Sequence, residues 1–233
     1  MQIIESTPFG VRSSVMTMER AGARARFVLF PMIHLGAPSF YDEVACRLKK
    51  CDLVLSEGVT GRRTSFVTLA YRIAGRIRRF GLVDQGRGLR MLSLGVPVEN
   101  VDATAAQFGR SWRRAPRFAR ILLLLAAPLF GLWLIVSGSR AFIARDIEVN
   151  DLPNPEDAFM PDPVAALSDA VVRDRDKLLC AAIAREADVA EDSADKTIGV
   201  VWGAGHMPAV THFLLGPLGY HVAKAEWVTV FVP

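Results

Sequence analysis

The stretch TIGVVWGAGHMPAV (Thr197–Val210) passes from an apolar, β-rich run through a glycine-rich turn into helix-like sequence, with His206 at the joint. A short apolar run bounded by glycine reads as a buried strand of a parallel sheet. Working outward, RFVLFPMIHLG (Arg26–Gly36) repeats the arrangement with His34 at its end, and CDLVLSEG (Cys51–Gly58) ends on Glu57. Ligands of open α/β sheets bind beyond the carboxyl ends of the strands. Two imidazoles and a carboxylate at three such ends form a candidate metal or acid–base site.

The remaining pattern supplies the rest of an α/β fold. Val11–Glu19 and Arg26–Pro31 read as strands joined at Ala21-Gly22. Ser39 reads as an N-cap, with Asp42 as its capping-box acid, for a helix running to about Lys50. Asp52–Glu57 and Val96–Asp102 are further strands. Thr64–Phe80 has the spacing of a basic amphipathic helix. Val164–Ala190 and Pro208–Leu215 have helical composition, and Thr197–Trp202, His221–Glu226 and Trp227–Val232 are β-rich. Leu152–Pro163 carries four prolines and reads as a linker. The expectation is one α/β domain over residues 1–233: a mixed, mostly parallel central sheet flanked by helices, with a helical, partly apolar insertion at about 104–160.

With 233 residues, 51% of them apolar and 22% charged, the chain can bury a core without staples. Three cysteines without a CxxC argue against a disulfide framework. Cys46 and Cys51, around a helix end, read as packing residues. The opening MQIIESTPFG has neither the basic nor the apolar region of a secretory signal. Charge is uneven: Thr60–Arg120 holds 13 arginines and three acids, whereas Ala141 to the end holds seven basic and 15 acidic residues. A basic stretch beside an apolar one suggests an anionic membrane surface. No RNA motif or DNA-binding signature accompanies it, so nucleic acid is not an expected partner.

Ile121–Val136, ILLLLAAPLFGLWLIV, is free of charge and flanked by arginines. A spanning helix needs about 20 apolar residues, about 17 at the least. A single span would also separate His34 and Glu57 from His206. An interfacial or re-entrant hairpin bent at Pro128–Gly131 avoids that separation, as does a helix buried in a homodimer. The expectation is a membrane-associated protein on the cytoplasmic side, contacting the bilayer through 110–140, with Trp112 and Trp133 as interfacial anchors.

Each candidate has a plainer reading. His34 and His206 could be hydrogen-bonded turn histidines, Glu57 one half of a structural ion pair, and Asp102 the N-cap of the next helix. Arg175 and Asp176 could lie on a solvated helix face, and His212 and His221 read as structural. There is no HExxH, P-loop or GxSxG, so serine and cysteine nucleophiles have no anchor.

Taken together, a histidine after the first site strand, the LVLSEG strand, Arg175-Asp176 on a late helix, and VVWGAGH followed by a short helix and LGY resemble the TraB/GumN family. That group includes the Tiki proteases and is related to erythromycin-esterase and ChaN-like proteins. Gly203–His206 fits the family's GxxH, while Pro31-Met32-Ile33-His34 carries proline where the family usually has glycine. The resemblance implies a divalent-metal hydrolase of peptide or ester bonds. His34 and His206 would be ligands, Glu57 a third ligand or the general base, and Arg175 the group facing the oxyanion. The resemblance suggests Mn or Co, and the ligand set would equally suit Zn. Two other readings stand beside it. One is a non-catalytic membrane-associated protein that sequesters a peptide or small ligand, favoured if Pro31 keeps His34 from the site. The other is a metal-free esterase with His34 or His206 as base, assisted by Glu57.

Overall fold

A computed structural model describes residues 1–58, 80–114, 116–118, 120–122, 124–126, 128–129, 139–144, 148–151, 172–191 and 194–233. The chain is α/β, with a mixed eight-stranded central sheet and flanking helices. Three strands carry the site: β3 (Ala25–Met32), β5 (Leu53–Ser56) and β9 (Lys196–Gly203), after β1 (Gln2–Thr7), β2 (Gly10–Glu19) and the short β4 (Leu35–Gly36). The sheet also takes in β7 (Val98–Asn100), β8 (Val149–Asn150) and β10 (His221–Phe231). β6 (Val83–Asp84) pairs with β4 apart from it.

The order β7-β5-β9-β3 is parallel throughout, with Met32 opposite Gly203, Ser56 opposite Val201, and Asn100 opposite Ser56. The carboxyl ends of all four strands therefore lie together. β5 and β9 bury most of their residues and expose none, as expected of strands covered on both faces. Beyond β3 the pairings are antiparallel. One edge of β2 is shared between β1 and β3, and the other is lined by β10 along its length.

Pro31 sits inside this sheet, where proline is normally excluded because it cannot donate to a ladder. The β2–β3 ladder ends at Leu29, and the Pro31 carbonyl instead accepts a bond from the buried Ser13 hydroxyl (2.7 Å). Gly199, in the middle of β9, allows a close approach: a Cβ there would lie 2.9 Å from Leu48 Cδ2 and 3.1 Å from Cys51 Sγ.

Helices among the described residues include α1 (Pro38–Leu48), α2 (Gln85–Gly88), α3 (Ala105–Arg114), α4 (Arg140–Ala144), α5 (Asp174–Glu191) and α6 (Met207–Leu215). α1 buries Phe40, Tyr41, Val44 and Leu48, and α5 packs on α6 and β3. Burial raises the pKa of Tyr41, with Asp84 adding to the rise, and the neutral hydroxyl donates to the Ile33 carbonyl (2.9 Å).

Several expectations need correction. α1 starts at Pro38 after an Ala37 N-cap without a side-chain cap bond, so Ser39 lies inside the helix. Proline at the first helical position replaces a cap, since its missing N–H would be unpaired there anyway. β1 has no counterpart in the sequence reading, and Val149–Asn150, placed within the insertion, is β8 on the edge of β1. The two β-rich runs at the end form one strand, β10, with register shifts between Val222 and Lys224 and between Thr229 and Phe231. Cys51 is buried, which pushes its thiol up to about 11 with help from Asp52, whereas Cys46 is exposed rather than packed. Residues 59–79, 130–138 and 152–171 lie outside the described residues, and with them most of the Thr64–Phe80 helix, the Leu152–Pro163 linker, Trp133 and the start of the Val164–Ala190 helix.

Candidate active site

Glu57 follows the last residue of β5, Asp102 lies two residues beyond β7, and His206 caps α6 three residues past β9. Arg175 comes from the first turn of α5 and joins them. Its Nε donates to Asp102 Oδ1 (2.8 Å), and its Nη2 donates to Asp102 Oδ2 (2.6 Å) and Glu57 Oε1 (2.5 Å). Its Nη1 lies 3.3 Å from His206 Nε2. A cation in the first turn of a helix opposes the helix dipole, and the two carboxylates offset that cost. The guanidinium also lies over the Trp202 ring, 5.2 Å from its centroid. Trp202 in turn meets the His206 ring edge-on at 5.2 Å.

The cluster is nearly dry. Side-chain exposure is 0% for Asp102, 10% for Arg175, 14% for Glu57 and 8% for His206. Burial by itself pushes the Glu57 carboxyl up, but the charge of Arg175 and, when protonated, that of His206, with bonds from Arg175 and the Gly203 N–H, outweigh it. Its pKa is held below the ordinary 4.5. The Gly203 N–H bond is short, at 2.6 Å. A Cβ on Gly203 would lie 3.2 Å from Glu57 Oε2, so the small residue keeps that approach open. Arg175 is pushed up by its carboxylate partners, which more than offset its burial.

The direction of the Glu57 shift fixes a pH dependence. A carboxylate depressed in the folded state adds stability above its unfolded value, and that stability is lost as pH falls through the folded one. Wild type is therefore expected to lose unfolding free energy below pH 4.5 more steeply than Glu57→Gln. Urea titrations at pH 7, 4.5 and about 3 measure this. Parallel slopes for the two proteins would remove Glu57 from the linkage.

His206 Nδ1 lies 2.6 Å from Asp176 Oδ1. A carboxylate accepts, so Nδ1 carries the proton. Nε2, facing a guanidinium that can only donate, presents its lone pair. In its neutral form the imidazole is therefore oriented as a proton acceptor at Nε2. Nε2 is also 4.0 Å from Glu57 Oε1.

Of the expected site residues, Glu57, Arg175 and His206 come together. His34 lies two residues beyond β3, half-buried, and its carbonyl accepts from the Gln85 N–H (3.0 Å). His34, Glu57 and His206 do not converge as a ligand set, and among the described residues no three His, Cys, Asp or Glu side chains are placed to hold a metal ion. Ligand distances of about 2.0–2.2 Å would require the donors to point at one centre. Here Glu57 and His206 point at Arg175, which already supplies the cation. The residues as placed do not fit a metal held by that set.

Two participants escaped the sequence reading. Asp102, read as an N-cap, instead holds Arg175 with both oxygens and accepts from the N–H groups of Gly58 (3.0 Å) and Ala103 (2.7 Å). The cap of α3 is a Thr104–Gln107 capping box: the Gln107 side chain accepts from the Thr104 N–H (2.8 Å), and Thr104 Oγ1 accepts from the Gln107 N–H (3.3 Å). Asp176, read as part of a solvated face, orients His206. Its available signal was adjacency to Arg175 on a helix that had to pack on the strand ends. His212 and His221 are exposed, away from these contacts.

The fold and site define an α/β protein with an arginine-centred cluster of carboxylates and one carboxylate-oriented histidine at the carboxyl edge of its parallel strands. No protein-family model, no curated protein and no solved structure matches the chain.

Proposed function

We propose that the chain is a hydrolase of ester or peptide bonds that works without a bound metal, with His206 as general base. One observation carries this: an imidazole whose Nδ1 is held by Asp176 and whose Nε2 lone pair faces a guanidinium. That pairing places a proton acceptor beside a fixed positive charge, the two groups acyl hydrolysis needs. His206 Nε2 takes a proton from water as the water oxygen attacks the carbonyl carbon. Arg175 faces the oxyanion that forms. The C–O or C–N bond then breaks, and the proton on Nε2 passes to the leaving group. Asp102 and Glu57 position Arg175, and Glu57 in its ionised form keeps the guanidinium aimed at the site. The resemblance to the TraB/GumN family supports the reaction class.

Hydrolysis of nitrophenyl esters and short peptides by wild type and His206→Ala, with and without chelator, tests this. Wild-type turnover should survive chelation, and His206→Ala should lose about 10²–10⁴-fold. Activity abolished by chelation and restored by Mn, Co or Zn would favour the metal-dependent reading instead. Equal turnover in both proteins would overturn the role of His206.

A further inference from the structure

We infer that the described residues between 110 and 129 dock the protein on an anionic lipid bilayer. The helical residues described between 117 and 129 project apolar side chains into solvent. Phe118, Ile121, Leu122, Leu125 and Leu129 are 57–65% exposed and recur at three- and four-residue spacing, which places them along one helix face. A contiguous run of exposed apolar side chains is the kind of surface that marks an interaction site. Immediately before it, Arg110, Arg113, Arg114 and Arg117 are exposed as well. From Ala103 to Arg145 the sequence holds seven arginines and no acid.

That charge pattern selects the occupant. In a symmetric dimer the same patch meets itself, and the segment then offers its arginines no acid to pair with. A nucleic acid would satisfy the arginines and leave the leucines in water. A bilayer containing anionic lipid satisfies both, because leucine and phenylalanine enter the acyl boundary while arginines meet the headgroups. Among the described residues no helix is long and apolar enough to cross a membrane, and the inferred mode is docking on the surface. The patch is tied to the polar cluster at two points. α3 begins three residues after Asp102, and Arg114 lies 3.9 Å from Asp174, the neighbour of Arg175.

Co-sedimentation of the full chain with phosphatidylcholine vesicles, with and without phosphatidylglycerol, tests the inference without reference to catalysis. Binding is expected to the mixed vesicles, falling between about 0.1 M and about 1 M salt. Arg110→Gln/Arg113→Gln/Arg117→Gln should bind about a hundredfold more weakly. Leu122→Ser/Leu125→Ser/Leu129→Ser should lose most binding while keeping the wild-type thermal midpoint. Equal, salt-independent binding to both vesicle types would overturn the inference. So would a leucine variant that changes the sedimentation mass from dimer to monomer and leaves vesicle binding unaltered, since the covering partner would then be a second copy.

Discussion

Replacing Arg175 with methionine is expected to lower stability by about 3–5 kcal/mol at pH 7, the cost of leaving a buried carboxylate without its cation. Methionine fills much of the same volume, so the loss reports charge rather than packing. Asp102 is the residue most affected. Its side chain has 0% exposure, and both oxygens bind the guanidinium at 2.6–2.8 Å. Glu57 keeps the Gly203 N–H but loses its charged partner. Without that partner the burial that pushes the Glu57 carboxyl up is no longer outweighed by the guanidinium. The penalty is then full at pH 7 and shrinks as pH falls toward about 4, opposite in sign to the wild-type Glu57 linkage. Denaturant unfolding at both pH values measures it. A pH-independent loss below about 1 kcal/mol would show that the carboxylates do not depend on Arg175. Arg175→Lys should recover only part of the loss, because an ammonium cannot match the two-pronged contact to Asp102.

Asp176→Asn should reduce hydrolysis by about 10²–10⁴-fold at neutral pH, with little change in KM and in thermal midpoint. The carboxylate can only accept, so it fixes the proton on Nδ1 of His206 and the lone pair on Nε2. An asparagine amide that turns its NH₂ to Nδ1 reverses the tautomer and puts the proton on Nε2, where a base is needed. The distance is already 2.6 Å, so no rearrangement is required for the amide to take the carboxylate's place. Steady-state kinetics on whichever ester or peptide wild type cleaves gives the comparison. A variant with wild-type kcat would mean that Asp176 does not set the tautomer.

Much of the framework was readable in the chain. Apolar runs ending on His34, Glu57 and His206 marked β3, β5 and β9, and their shared carboxyl edge followed from the α/β pattern. Glu57, Arg175 and His206 do meet there. The antiparallel half was only partly readable, because β8 has two residues and pairs with β1 from about 145 residues away in the chain. Asp102 and Asp176 were misjudged for a related reason. A capping aspartate and one that holds a buried arginine look alike locally, and the difference lies in a residue 73 positions away.

The sequence by itself determined the strand–turn–helix units and the residues at their ends, because hydrophobic periodicity and glycine or proline punctuation act over a few residues. Only the tertiary structure decided the partners: Arg175 between Glu57 and Asp102, Asp176 behind His206, and a guanidinium where a metal was expected. Coulomb attraction and hydrogen bonding depend on distance in space, and these distances exist only once the parallel strands have brought their carboxyl ends to one edge.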